Sequence, residues 1–481
     1  MAYSALLTDL YQLTMLAGYF EKGMHEAPAV FDLFYRTPPF EGGYAVFAGL
    51  EPALHYLSSL RFTDDDLFYL KGLKLFKPDF LDYLEGFRFR GRVTALAEGS
   101  VAFPLGPLLT VEAPMAQAQL VETALLNIIN FQTLVATKAA RIVTMAGAGE
   151  VVEFGLRRAQ GPDGGLSEVR GAFIGGVGST SNVLAGKTLG IPVRGTHAHS
   201  WIMAFPDELS AFRAYAEVFP DSSVLLVDTY DTLESGIPNA ITVAGELRDS
   251  GHRLAGVRLD SGDLSYLSRE ARRMLDEAGF PYVKILASNE LDEYIIRSIQ
   301  ENGGRVDIYG VGTRLATCQG EGGGALGGVY KLVRFGDTPK LKVTSDISKS
   351  TIPDRKRLLR AVGADGKFQM DIMCRLDEDL KPGDVVFDPT NPARNKPIPV
   401  GAHLVDVRSV VMEDGAISAS LPSLDELAAR CREQLHRLPE GVLRLDNPHR
   451  YKISVSRRLN DLRTQLIDEV RRGYPHAVVR N

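Results

Sequence analysis

Along the middle of the chain, short apolar, β-branched runs alternate with stretches in which apolar residues recur at helical spacing. The runs are EVVEFGLRR from Glu150, IPVRGTHAHS from Ile191, SVLLVDTYDT from Ser223, LAGVRLDSGDL from Leu254, VKILASNEL from Val283 and VDIYGVGT from Val306. The last four begin about 30 residues apart or a little less, which is the rhythm of strand–helix units in a parallel sheet. Their near-continuous apolar character fits strands buried on both faces. LSREARRMLDEAG and LDEYIIRSIQENGG carry apolar residues at helical spacing and end at Gly, so both read as helices.

The flanks lack this rhythm. LLTDLYQLTMLAGYF predicts a helix and AVFDLFYR a strand, followed by Gly/Pro-rich sequence with further strands. Near the C-terminus, RLLRAVGADGKFQMDIM reads as a hairpin about a Gly-containing turn, while SLDELAARCREQLHRL and SRRLNDLRTQLIDEVRR read as amphipathic surface helices. At 481 residues the chain is too long for one ordinary core, and about three domains are expected. The divisions expected are an N-terminal α/β domain over 1–120, an α/β catalytic domain over 121–340 and a C-terminal α+β module over 341–481, part of which could rejoin the first.

Composition narrows the function. Lys and Arg number 54 against 60 Asp and Glu, a net charge of −6, which argues against non-specific nucleic-acid binding and against docking on anionic membranes. No apolar run approaches the ~20 residues of a membrane span, and the first residues lack the basic start of a signal peptide. The three cysteines, Cys318, Cys374 and Cys431, are scattered and show neither disulfide nor zinc spacing, so a cytoplasmic setting is expected.

Polar residues gather where the central runs end: His199, Asp228, Asp231, Arg258, Asp260, Asp263, Asn289 and Thr313. In a closed α/β barrel that rim is the catalytic face, and an open doubly wound sheet places ligands on the same side, so the pattern marks a site without settling closure. Strand alternation puts Arg258 and Asp260 on one face, with Asp263 a turn later; an Arg beside acids can hold an anion while the acids attract a ribose hydroxyl or Mg²⁺, or the group can be a structural ion pair. His197 and His199 share a face if their strand continues, yet no third nearby residue completes a metal site. Asp228 alone is as compatible with a structural cap as with catalysis. In Gly310–Thr313, GVGT, backbone amides can approach a phosphate.

Three near-motifs fail on context. SNVLAGKT lacks the leading Gly and the preceding apolar strand of a P-loop. GGGALG, Gly322–Gly327, matches a dinucleotide fingerprint in letters but opens no helix, and reads as a turn of unassigned role. VLLVDTYDT lacks the paired acids and Thr/Gly cradle of a type I phosphoribosyltransferase loop.

In order, LLTDLYQLTM, FEGGYAVFAGL, EFGLRRAQGPDG, GSTSNVLAG, GTHAHSW, VDTYDTLESGIPNAI, GVRLDSGDL, ASNELDE, IYGVGTRLATC and GGVYKLV resemble the nicotinate phosphoribosyltransferase family, from residue 6 to about 333, with KPGDVVFDP similar to its longer C-terminal module. The resemblance implies an irregular α/β barrel with an N-terminal α/β domain and a homodimer with a shared active site. It also implies nicotinate, 5-phosphoribosyl 1-pyrophosphate and ATP as substrates, with Mg²⁺. By motif position it makes His199 the phosphorylated residue, with Asp260 and Asp228 alongside it in catalysis. Tyr11 is placed against the pyridine from the partner, and Phe154 and Arg157 sandwich the ring. Thr196 and Arg258 are set on the nicotinate carboxylate, and Gly310, Gly312 and Thr313 on the 5′-phosphate. Asp260 and Asp263 become metal candidates through water or pyrophosphate. Ser181 stands nearest the position where nicotinamide-using relatives carry an Asp, which would repel nicotinate.

Overall fold

A computed structural model of the chain describes residues 3–343 and 350–473. The chain divides into two compact units, one of residues 1–134 with 325–481, the other of residues 135–324.

In the second unit five of the six expected runs, together with Ser179–Thr180, form a parallel sheet of six strands. Its order is Ser179–Thr180, Glu150–Glu153, Ile308–Val311, Lys284–Ser288, Gly256–Leu259 and Val224–Leu226. Helices follow the strands and cover them, as the α/β class requires. The helix Leu264–Glu277 starts on Asp263, whose carboxylate accepts from the Tyr266 amide, and Glu293–Glu301 starts on Asp292 in the same way. Both helices stop before a Gly with positive φ, Gly279 and Gly303. Apolar residues of the Val224, Gly256 and Lys284 strands and their helices, Leu225, Val257 and Ile285 among them, make one buried core.

The run from Ile191 departs from expectation. It is not a ladder strand: Val193 makes a single parallel bridge to Thr180, and His199 begins a short helix, His199–Met203. Among the described residues no backbone ladder joins the two ends of the sheet. A side chain spans the gap instead. The Leu226 amide donates to Nε2 of His197, 3.3 Å away, so an imidazole takes the place of a carbonyl between the 193–197 segment and the last strand. This is the physical form of the expected irregularity.

His197 is buried, with its ring edge-on to Tyr215, and its role is structural. Burial moves its pKa down from the ordinary 6.5 to about 4, with the charges of Arg258 and His199 acting in the same direction and the Ala198 backbone opposing them. A depressed histidine pKa favours the neutral ring in the folded state. The stability it contributes is therefore fully present above about pH 6.5 and is lost as pH falls toward 4. Replacing His197 with Gln, which can still accept from Leu226, is expected to remove up to roughly 3 kcal/mol of the acid sensitivity in that window. Urea unfolding at stepped pH checks this; parallel slopes for parent and variant would refute it.

The first unit joins residues far apart in sequence. Its seven-stranded antiparallel sheet places Pro28–Tyr35 between Gly328–Phe335 and Leu109–Pro114, and Arg92–Leu96 beside Arg408–Glu413. A buried pair, Lys356 with Asp32, fastens the late part of the chain to the early strand, and Thr110 donates to the other Asp32 oxygen at 2.6 Å. The expected hairpin is Lys356–Val362 with Phe368–Arg375. The helix Leu424–His436 opens on a Ser423/Glu426 capping box. Gly322, Gly324 and Gly327 of GGGALG have positive φ, and the division between the units falls within this loop.

Candidate active site

Parallel register brings the strand ends of the second unit together. Leu226, Arg258 and Leu286 are neighbours across three strands, and Ser288 is paired with Gly310. Residues just beyond these positions share one rim.

Arg258 is the centre. Its Nε donates to Ser288 Oγ at 2.8 Å, one terminal nitrogen to Thr196 Oγ1 at 2.9 Å and the other to Asp260 Oδ1 at 2.7 Å. Its guanidinium carbon lies 5.6 Å from the centre of the Phe154 ring. A guanidinium has five N–H groups, so two remain, one on each terminal nitrogen. Those two donors are available to an anion such as a carboxylate.

Asp260 also accepts from Ser288 Oγ, at 2.5 Å, and its Oδ2 stands 3.8 Å from His199 Nε2. Burial acts to raise the Asp260 pKa, but the Ser288 hydrogen bond and the Arg258 charge outweigh it, and the carboxyl is held below its usual range. The other His199 nitrogen, Nδ1, is 3.1 Å from Thr229 Oγ1. Asp228 receives the Asp260 amide at 2.8 Å and Ser261 Oγ at 2.7 Å on one oxygen, while its buried Oδ1 has no partner. Asp263 spends one oxygen on its helix cap.

Phe154 and Arg157 follow the Glu150–Glu153 strand. The turn that presents them is held by buried Glu153, which accepts from Thr180 Oγ1 at 2.5 Å and from the Gly155 amide. Burial raises the Glu153 pKa in spite of those hydrogen bonds. The Arg157 side chain is exposed, and Ser181, after the Ser179–Thr180 strand, donates its amide to the Glu153 carbonyl. Gly310 has a specific reason: a Cβ there would meet Phe154 ring carbons at 2.5 and 2.6 Å, so the Phe154 ring occupies the space that Gly310 leaves open. Gly312 is the N-cap of the single turn Thr313–Ala316, whose Arg314 is anchored to Asp292 at 2.5 Å.

The structure thus gathers His199, Asp228, Arg258, Asp260, Thr196 and Phe154 on one rim. Tyr11 belongs to the other unit, on the helix Leu10–Glu21, with 48% of its surface exposed. Two contributors lay unassigned in the sequence. Ser288 stands in ASNEL, two residues past the register partner of Arg258, and Thr229 adjoins Asp228; reading strand ends side by side would have found both.

Comparison with known proteins accords with this geometry. The model of the nicotinate phosphoribosyltransferase N-terminal domain matches residues 6–130, that of the nicotinate phosphoribosyltransferase family residues 150–322, and that of the C-terminal domain residues 355–463. A nicotinate phosphoribosyltransferase of Bacillus subtilis is 43% identical over 474 residues, covering 97% of this chain and 96% of that protein. The chain belongs to the nicotinate phosphoribosyltransferase family.

The human relative named nicotinate phosphoribosyltransferase is 36% identical and covers 95% of each chain. The crystal structure of human nicotinic acid phosphoribosyltransferase superposes with a TM-score of 0.85 at 34% identity, over 95% of this chain and 99% of that one. The family's α/β architecture therefore holds for this chain. Among the described residues, no helix is long and apolar enough to cross a membrane.

Proposed function

We propose that this chain makes nicotinate mononucleotide from nicotinate and 5-phosphoribosyl 1-pyrophosphate, in the synthesis of NAD from nicotinate, and that ATP is consumed through a phosphohistidine at His199. The observation that carries this reading is the anchored Arg258: three of its N–H groups are fixed by Ser288, Thr196 and Asp260, leaving one on each terminal nitrogen for an anion.

In this reading the nicotinate carboxylate takes the two free N–H groups together with Thr196, and the pyridine lies against Phe154. Arg157 covers the ring, and Tyr11 reaches it from a second copy of the chain, so the active unit is a homodimer. The pyridine nitrogen forms a bond to ribose C1 as the bond from C1 to the pyrophosphate oxygen breaks. The transition state carries positive charge on the ribose, which the Asp260 carboxylate, held ionised, favours. Positioning supplies much of the rest. Gly312 and Thr313 take the 5′-phosphate, with Gly310 contributing room for Phe154. A Ser at 181 leaves the nicotinate charge unopposed.

His199 fits the second role by its surroundings. Nδ1 against Thr229 fixes the ring, and with the proton on Nδ1 the free Nε2 can take the γ-phosphoryl group of ATP, releasing ADP. Water then returns the phosphoryl group as phosphate.

Among the described residues no group of three His, Cys, Asp or Glu side chains could cage a metal. The donor set fits Mg²⁺ carried by the pyrophosphate or ATP and touched through water by Asp260, by the second oxygen of Asp263 or by the unpartnered Asp228 Oδ1. Bound there, the ion would neutralise leaving-group charge. Three free, buried cysteines accord with a cytoplasmic setting.

Purified protein assayed with nicotinate, nicotinamide and quinolinate, each with and without ATP, tests the reading. Nicotinate should be converted, with stimulation by ATP. Activity on nicotinamide without activity on nicotinate would overturn it.

A further inference from the structure

A second cleft lies wholly within the late part of the chain, far along the sequence from the residues of the proposed reaction. Its volume is about 480 Å³, and Lys396, Lys452, Tyr451, Pro399, Pro439 and Val442 are among the residues that line it. Such a volume falls in the range of small-molecule sites.

The cations of the lining are not equivalent. The Lys367 ammonium is committed to the His436 carbonyl at 2.6 Å, at the C-terminal end of the helix Leu424–His436. Asp365, a carboxylate in the lining, accepts the Lys367 amide in a local turn. Lys396, on the strand Asn391–Pro397, and Lys452, just before the strand Ile453–Val455, are different. Their side chains approach within hydrogen-bonding range of each other, and among the described residues neither is paired with an acid. Two ammonium groups in contact repel, and burial adds a cost for Lys396, whose pKa falls to about 8 through burial first and the Lys452 charge second. At neutral pH Lys396 is still largely protonated. An anion between them would relieve the repulsion and accept from both.

We propose that this cleft binds a phosphate-bearing small molecule of about mononucleotide size, its phosphate held between Lys396 and Lys452 and its less polar part against Pro399, Pro439 and Val442. A lone inorganic phosphate would satisfy the lysines but leave most of the cleft to water.

The test uses the full chain and pyridoxal 5′-phosphate, whose aldehyde forms an imine with an unprotonated lysine and whose phosphate supplies the anion. After borohydride reduction, peptide mapping reads modification at Lys396 separately from any elsewhere. Pyridoxal 5′-phosphate should label Lys396 at least about tenfold faster than pyridoxal, which lacks the phosphate, since a charge-assisted contact is worth that factor. Lys452→Met should bring the two reagents to the same rate while leaving nicotinate conversion unchanged. Adenosine 5′-monophosphate should protect Lys396 at concentrations where inorganic phosphate does not. Equal labelling by the two reagents in the parent chain, or an unchanged preference in Lys452→Met, would overturn the site. Equal protection by inorganic phosphate would overturn the mononucleotide-sized ligand.

Discussion

Replacing His199 with Ala is expected to abolish ATP-dependent stimulation of nicotinate conversion and the appearance of acid-labile phosphate on the chain. The stimulated component should fall by at least on the order of a hundredfold, because the side chain that takes the phosphoryl group is gone and no neighbour replaces it. His197 cannot substitute: its Nε2 is occupied by the Leu226 amide and the ring is buried in a structural seam. Thr229→Val should have a smaller effect in the same direction, since it removes the hydrogen bond that orients Nδ1 but leaves the nucleophile. Incubation with ATP labelled at the γ-phosphate, followed by acid and base treatment, reads the result directly. Label that persists on His199→Ala would show that the phosphoryl group goes elsewhere.

Arg258→Ala should raise the apparent KM for nicotinate by roughly 10- to 100-fold, the worth of a charge-assisted contact to a carboxylate. Arg258→Lys should not rescue it. A single ammonium cannot hold Ser288, Thr196 and Asp260 and still present two further donors. A second readout separates the carboxylate role from a merely structural one. Arg258 is one of the groups that hold the Asp260 pKa down, so its loss should move the acidic limb of the pH–rate profile to higher pH. An unchanged affinity for nicotinate would contradict the assignment, and an unmoved acidic limb would contradict the coupling to Asp260.

These two residues also show how far linear reading reaches. The rim position of Arg258 and Asp260 followed from alternation within one strand, and their 2.7 Å contact confirms that they share a face. Their third partner, Ser288, comes from the adjacent strand, and adjacency between strands is not written in the spacing of either. Asp263 was legible as a polar residue at a strand end, but the structure also makes it the cap of Leu264–Glu277, which begins ahead of the helical run read from Leu267. Gly310 was read as a close approach to phosphate. A close approach is there, but the visitor is Phe154, delivered by the strand Glu150–Glu153 more than 150 residues earlier in the chain.

By itself the sequence determined the local elements of this protein: the strands and helices of residues 150–313 apart from the run at Ile191, the helix stops at Gly, the late hairpin, and the placement of polar residues at strand ends. These depend on periodicity and capping, which act over a few residues. Only the tertiary structure decided which distant segments meet. It set Gly328–Phe335 beside Pro28–Tyr35, paired Lys356 with Asp32, put an imidazole where a strand ladder would have closed the sheet, and left Lys396 against Lys452. Such pairings answer to the burial of whole faces and to the partners that buried polar groups must find, and those demands are met by whichever segment the fold brings within reach.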